Sequence, residues 1–363
     1  MRFTRSAVAW KILTDVAAEL MAKVVGQLNR MTGALQGWPV LSSFRNWMAR
    51  LDARRLERDR VAGGAVDCME TMGMQADGID ELKLLTGRLL ANHVRATAKS
   101  FREAEFKVFS QFGDDGIIQY LIDRLEIPPE LSTFVEFGVQ DYSESNTRFL
   151  LLNDNWRGLV MDGDKGNIDS LPARDIYWRH DLTALCRWID RDNINAVLQD
   201  SGFSGPIGIL SIDIDGNDYW VWQRIEVVQP IIVIVEYNSV FGARQAITVP
   251  YDPAFDRTKA HYSNLYWGAS LPALASLASH KGYVFVGSNQ AGNNAYFVHK
   301  SYIGRGGIVA IAPEQGYVES RFRESRDEQG RLTFVGGAAR RQMIAGMPVY
   351  DVEQDAVVTL GAE

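Results

Sequence analysis

The chain has 363 residues, 46% of them hydrophobic and 23% charged, with a formal net charge of -7. This is ordinary globular composition, enough to bury a full core, and no apolar stretch approaches the roughly 20 residues that cross a bilayer as a helix. Residues 1–60 hold 11 Lys and Arg against 5 Asp and Glu, leaving -13 on the remainder, which argues against extended nucleic-acid contact by the main body.

In chain order, Val8, Ile12, Val16, Leu20, Val24 and Leu28 recur at intervals of four and predict an amphipathic helix over 8–31. Lys11, Asp15 and Glu19 interrupt it, so no secretory leader is expected despite Arg2 and Arg5. Trp38 and Pro39 end the pattern; an arginine-rich helix is expected over 42–61, then a linker marked by Gly63, Gly64, Gly73 and Gly78. Residues 1–100 therefore read as a helical appendage. Its stripe and basic partner helix leave three roles open: packing on the main body, pairing in a homo-oligomer, or peripheral contact of residues 1–60 with an anionic membrane. Only Cys68 and Cys186 are present, too few for a disulfide framework or a thiolate metal site, which fits a reducing, cytoplasmic location.

From about Phe101 strands and helices alternate. Strands are predicted at 133–138, 158–162, 175–179, 207–213 and 231–237, with helices between them, such as 189–198 and 218–227. Such alternation implies a parallel, doubly wound α/β sheet. A helix at 271–281 and strands at 283–287 and 295–299 follow; the short polar loop between these strands suits an antiparallel hairpin, so the sheet should have seven strands with the last reversed. Residues 101–300 form the expected main domain. Residues 301–363 read as an extension that could serve substrate binding, in which 321–334 resembles a charged turn leading into a strand.

Four predicted strands end in acids: VEFG at 135–138, VMDGD at 160–164, SIDIDGND at 211–218 and VIVEYN at 233–238. Ligands of open α/β sheets sit beyond the carboxyl ends of the strands, and acids gathered there are costly unless they bind something. Gly138 permits a tight turn against which a cofactor can lie. Asp162 is placed to accept from ribose hydroxyls, with Asp164 as competitor, and Asp181 is placed either to bind an adenine amino group or to cap a helix. On a strand Asp213 and Asp215 share a face, and Glu236 and Asn238 repeat that spacing on the next, so this set offers hard oxygen ligands for Mg²⁺, Mn²⁺ or Ca²⁺. The alternative is that Asp218 caps the following helix and Asp213 serves only the cofactor.

His261 is the first candidate for a general base, His180 the second, and Asp215 could itself take the proton. Tyr219, Trp220 and Trp222 read as core. Arg321, Arg323 and Arg326 could grip an anionic group or pair with Glu319, Glu324, Asp327 and Glu328.

Together SQFGDDG (110–116), FVEFGVQD, SNT (145–147), WRGLVMDGD, LSIDIDGNDYWVW, VIVEYN, GASL (268–271) and GNNAYFV resemble class I methyltransferases dependent on S-adenosylmethionine, closest to the FkbM-type group. The resemblance spans about residues 106–300 and implies a Rossmann-like seven-stranded sheet. It carries cofactor contacts onto Gln111, Glu136, Gly138, Asn146, Asp162, Asp164, Asp181 and Asp213. IDGND and VEYN are also similar to the carboxylates of metal-dependent sugar O-methyltransferases, with Asn238 standing where one acid would be.

The function so implied is O-methylation of a small-molecule or glycan hydroxyl (a saccharide, a surface glycan or a secondary metabolite), with help from Mg²⁺ or Mn²⁺ left open. A nicotinamide-dependent oxidoreductase and a non-catalytic nucleotide-sensing scaffold are the competing readings.

Overall fold

The architecture follows from the unbroken apolar runs of three central strands, which are buried on both faces and so require helices above and below. The computed structural model describes residues 78–362; the helices expected over 8–31 and 42–61, with the oligomer and membrane roles attached to them, lie outside these residues. Among the described residues the strands are β1 (Thr133–Phe137), β2 (Arg157–Asp162), β3 (Leu182–Cys186), β4 (Gly205–Ile212), β5 (Val228–Glu236), β6 (Ile247–Thr248), β7 (Tyr283–Ser288), β8 (Asn294–His299), β9 (Pro348–Asp351) and β10 (Ala356–Thr359).

Seven of them form one sheet in the order β3-β2-β1-β4-β5-β8-β7. β1 to β5 are parallel, and β8 runs antiparallel between β5 and β7. This is the Rossmann-like seven-stranded sheet with a reversed last strand that the sequence led us to expect.

Alternation along each strand divides the core. Val135, Phe137, Leu210, Val233 and Val235 face one layer with Leu198, Val221, Trp222 and Leu274 from the helices Ile194–Asp200, Asp218–Arg224 and Leu271–His280. Phe134, Ile209, Ile232 and Ile234 face the other, with Ile117, Leu121 and Leu125 from Asp114–Leu125 and Leu150 and Leu151 from Arg148–Asp154. Tyr219, Trp220 and Trp222 are buried, as core residues should be. Asp115 fixes the entry to its helix by accepting from the N–H groups of Val108, Phe109 and Ser110 at 2.7–2.9 Å.

Three expectations are corrected. The strand expected at 175–179 is the helix Asp175–Arg179, and the third strand is Leu182–Cys186, which pairs with β2 from Gly158↔Leu182 onward. The β-branched and aromatic character of DIYWR is overridden because one residue, Ile176, turns into the core while Trp178 stays exposed. Second, residues 78–97 are helical, and from Ile79 onward they belong to this unit, burying Ala91 and Val94 ahead of the expected boundary at residue 100.

Third, 321–334 holds only a single bridge, Arg326↔Leu332, instead of a strand. The tail strands are β9 and β10; β9 pairs with both β6 and β10 in a small sheet over Phe241, Ile247, Val249, Leu265, Ile344, Val349 and Leu360. No helix of the described residues is long and apolar enough to cross a membrane.

Gly138 ends β1 with φ +74°, and a Cβ there would lie 1.6 Å from the carbonyl oxygen of Asp213. Gly138→Ala is expected to lower the urea midpoint, with a loss of roughly 2 kcal/mol or more from the left-handed backbone and the clash combined. Equilibrium urea unfolding measures it.

Candidate functional site

Parallel strands present their carboxyl ends at one edge, and β8, being reversed, presents its amino end there, pairing Asn294 with Glu236. A cavity of about 1000 Å³ opens at this edge. One half lies over β1, β2 and β3, lined by Glu136, Gly138, Gln140, Asn146, Asp162, Asp164, Arg187 and Trp188. The other lies over β4, β5 and β8, lined by Asp213, Asp215, Asn217, Glu236, Arg257 and Asn294, with Gln111, Phe112, Phe255, Phe322 and Glu324 around it.

The carboxylates of the first half differ in what remains open on them. Each carboxylate accepts about four hydrogen bonds. Glu136 accepts from Ser145 Oγ, Thr147 Oγ1 and the Thr147 N–H at Oε2 and from the Asn146 N–H at Oε1, so four donors of the loop that starts Arg148–Asp154 hold it. Burial pushes its pKa up, and its work is to brace that loop. Asn146 is held in turn by this bond and by its own contact to Ser211 Oγ at 3.2 Å.

Asp162 accepts from Gln140 N–H, Asp164 N–H and, at 3.3 Å, Asn167 Nδ2, which leaves about one acceptor position open. Asp164 caps Lys165–Asp169 through Gly166 N–H and Asn167 N–H. Gln111 is exposed at the cavity mouth.

In the second half Asp213, Asp215 and Glu236 each bring a carboxylate oxygen within 4.8 Å of the others. Burial, then the charges of Asp215 and Asp218, push Asp213 well above the usual carboxylate range, and burial, then the charges of Asp213, Asp215 and Asp218, do the same to Glu236. Asp215 adopts φ +55°, a strained backbone for a non-glycine residue, and takes Arg257 Nη1 at 2.6 Å.

Arg257 also donates to the Asn264 carbonyl, lies near Glu324 at 3.7 Å and stacks over Trp267. Three buried oxygens lining this half have no hydrogen-bond partner: Glu236 Oε2, Asn217 Oδ1 and Asn294 Oδ1. Gly216 leaves room for the Phe255 ring, which a Cβ there would meet at 2.2 Å.

Other expected site residues lie elsewhere. Asp181 is at the amino end of β3, its carbonyl bonded to Gly158 N–H and its carboxylate 3.7 Å from Arg157, away from the cavity lining; the misread strand put it at the wrong end. His180 precedes it and contacts Asn155 at 3.1 Å. His261 ends the helix Arg257–Ala260 with Nδ1 on Ser263 Oγ, outside the lining, and burial pulls its pKa down.

Asn238 is buried and structural: its oxygen accepts Val240 N–H and its amide donates to the carbonyls of Leu265 and Trp267, so it is no ligand beside Glu236. Asp218 clamps the IDGND turn through Ile214 N–H and Gly216 N–H, burial raising its pKa to about 6. Arg321 and Arg323 are exposed, and Arg326 contacts Glu324 and Gly330; none lines the cavity.

Arg257, Trp188, Phe112, Phe255 and Phe322 were not singled out from sequence. The signal for Arg257 was indirect: clustered acids require a nearby cation. No protein-family model and no curated protein matches this chain. Among solved structures it is similar to an O-methyltransferase family protein from Burkholderia thailandensis (13% identity, 51% of this chain, 57% of that one, TM-score 0.29). It is also similar to a putative RNA methyltransferase from Pyrococcus horikoshii (11%, 59% and 96%, TM-score 0.32) and to human N-acetylserotonin methyltransferase in complex with SAM (12%, 52% and 56%, TM-score 0.28). The chain thus spans little more than half the length of the first and last of these.

The raised pair has a consequence for stability. Asp213 and Glu236 start from 3.8 and 4.5, and the native state holds their protons to higher pH than the unfolded chain does. The native state binds more protons in that window, so without divalent ions stability should fall as pH rises from about 4 until the folded pair has ionised. Glu236→Gln should flatten this decline, as chemical unfolding at a series of pH values would register.

Proposed function

We propose that the chain is an S-adenosylmethionine-dependent O-methyltransferase acting on a hydroxyl of a saccharide, surface glycan or secondary metabolite, with Mg²⁺ or Mn²⁺ held at Asp213, Asp215 and Glu236. One observation carries the reading. Nine acids line the cavity (Glu136, Glu144, Asp162, Asp164, Asp213, Asp215, Glu236, Asp256, Glu324) against two bases, Arg187 and Arg257. Such a rim attracts a cationic sulfonium cofactor and repels the two phosphates of a nicotinamide dinucleotide. The half over β1 to β3, with the Gly138 turn, the open position on Asp162 and the Trp188 ring, is the seat for the donor's nucleoside.

A sulfonium methyl is already activated, so the protein's task is to align the acceptor oxygen and remove one proton. As the oxygen takes the methyl and the methyl–sulfur bond breaks to leave S-adenosylhomocysteine, the hydroxyl proton passes to a carboxylate of Asp215 or of the Asp213–Glu236 pair. Neither His261 nor His180 is placed for this. The unpartnered Glu236 Oε2 and the three converging carboxylates fit a hard cation, which would hold neighbouring hydroxyls and lower their pKa.

Two measurements test this. Calorimetry should detect S-adenosylhomocysteine binding, with Asp162→Ala weakening it about tenfold; absence of binding by the parent protein overturns the reading. Mn²⁺ binding, followed by electron paramagnetic resonance, should tighten with rising pH because the cation displaces a proton from the carboxyl pair, and Asp213→Asn should abolish it. Affinity independent of both pH and Asp213 would remove the metal from the proposal.

A further inference from the structure

Within the methyltransferase reading, the half of the cavity over β4, β5 and β8 is left for the acceptor, and part of its wall comes from the far end of the chain. Phe322 stacks on Phe112, centroids 5.7 Å apart and planes 14° from parallel, and both rings are part-exposed where they line the cavity. Phe322 lies between two tethered residues. On one side Ser320 is bound to Ser239, just past the Glu236 end of β5, through Oγ–Oγ at 2.7 Å and Ser320 N–H to Ser239 Oγ at 3.0 Å. On the other, Glu324 lies 3.7 Å from Arg257, the guanidinium that also holds Asp215.

A buried arginine fixes the segment. Arg340, 3% exposed on the helix Ala338–Met343, donates to Ser320 Oγ at 2.7 Å, to the Ser320 carbonyl at 3.2 Å, to the Phe322 carbonyl at 3.4 Å and to Glu319 at 3.1 Å. Burying a guanidinium is expensive unless its donors are used; both Nη groups are used within the one short stretch 319–322, while Nε has no partner. Arg340 is thus a positioning residue for Phe322.

We infer that residues 319–324 complete the acceptor subsite, and that the subsite takes a hydroxylated ring without phosphate. The Phe112–Phe322 pair and Phe255 offer apolar faces to a ring. Glu236, Asn217 and Asn294, all more than nine-tenths buried and all lining this half, each carry an oxygen acceptor with no partner in the chain. The cationic groups near them are already engaged: Arg257 is held by Asp215, Asn264 and Glu324, so a phosphoryl group would meet carboxylates without a guanidinium to receive it.

The inference rests on the proposed methyltransferase function, and the test separates the two. The full chain, loaded with S-adenosylhomocysteine and kept free of divalent ions, is examined by saturation-transfer NMR with the methyl glycosides of glucose, galactose and mannose and with the three corresponding 6-phosphates. Saturation is expected on ring protons of at least one methyl glycoside and on none of the phosphates. Phe322→Ala should reduce it at least fivefold while homocysteine-ligand affinity stays within twofold of the parent. Equal or stronger transfer to a phosphate, an unchanged signal in Phe322→Ala, or no glycoside signal overturns the inference. Failure of the parent to bind S-adenosylhomocysteine instead overturns the reading beneath it.

Discussion

Three carboxylates held within 4.8 Å of one another, with one guanidinium against them, form the constraint around which the rest is arranged. Two like charges about 4 Å apart repel by about 4 kcal/mol at an effective dielectric near 20. That is a large share of the roughly 5–15 kcal/mol by which a domain is stable. The fold tolerates the cluster because burial favours the neutral forms of Asp213 and Glu236 and Arg257 neutralises Asp215. The same imbalance extends around the cavity, whose lining holds nine acids against two arginines.

Other buried acids show by contrast what a structural carboxylate looks like. Glu136 and Asp218 are as deep as Glu236, yet their oxygens receive backbone N–H groups that shape the loops at the sheet edge, and Asp115, whose Oδ2 does the same while its Oδ1 has no partner, lies outside the cavity lining. Asp114 likewise receives Asn289, Asn294 and Tyr296 and pins the β7–β8 hairpin to its helix. Glu236 keeps an oxygen that nothing in the chain satisfies. Burial alone therefore does not mark function; an unmet hydrogen-bonding capacity beside a cavity does.

Much of this edge was legible beforehand. β1, β2, β4 and β5 were readable because strands covered on both faces carry unbroken apolar runs ending in polar turns, and the reversed hairpin showed in its short loop. β3 was missed because LTALC is short and weakly apolar while the neighbouring DIYWR has the composition of a strand. That slip carried Asp181 to the wrong end. Asn238 looked like a ligand by spacing, but one residue past the strand the chain turns and its amide anchors loops. Arg257, Phe322 and Arg340 have no local pattern; they meet the site only through long-range packing.

The contact of Gly138 with the Asp213 carbonyl joins the two halves of the rim at their narrowest point. With no side chain between them, the turn after β1 has no slack relative to the end of β4. Any side chain at that position would have to wedge the end of β1 away from the end of β4, and with them the two compartments they carry.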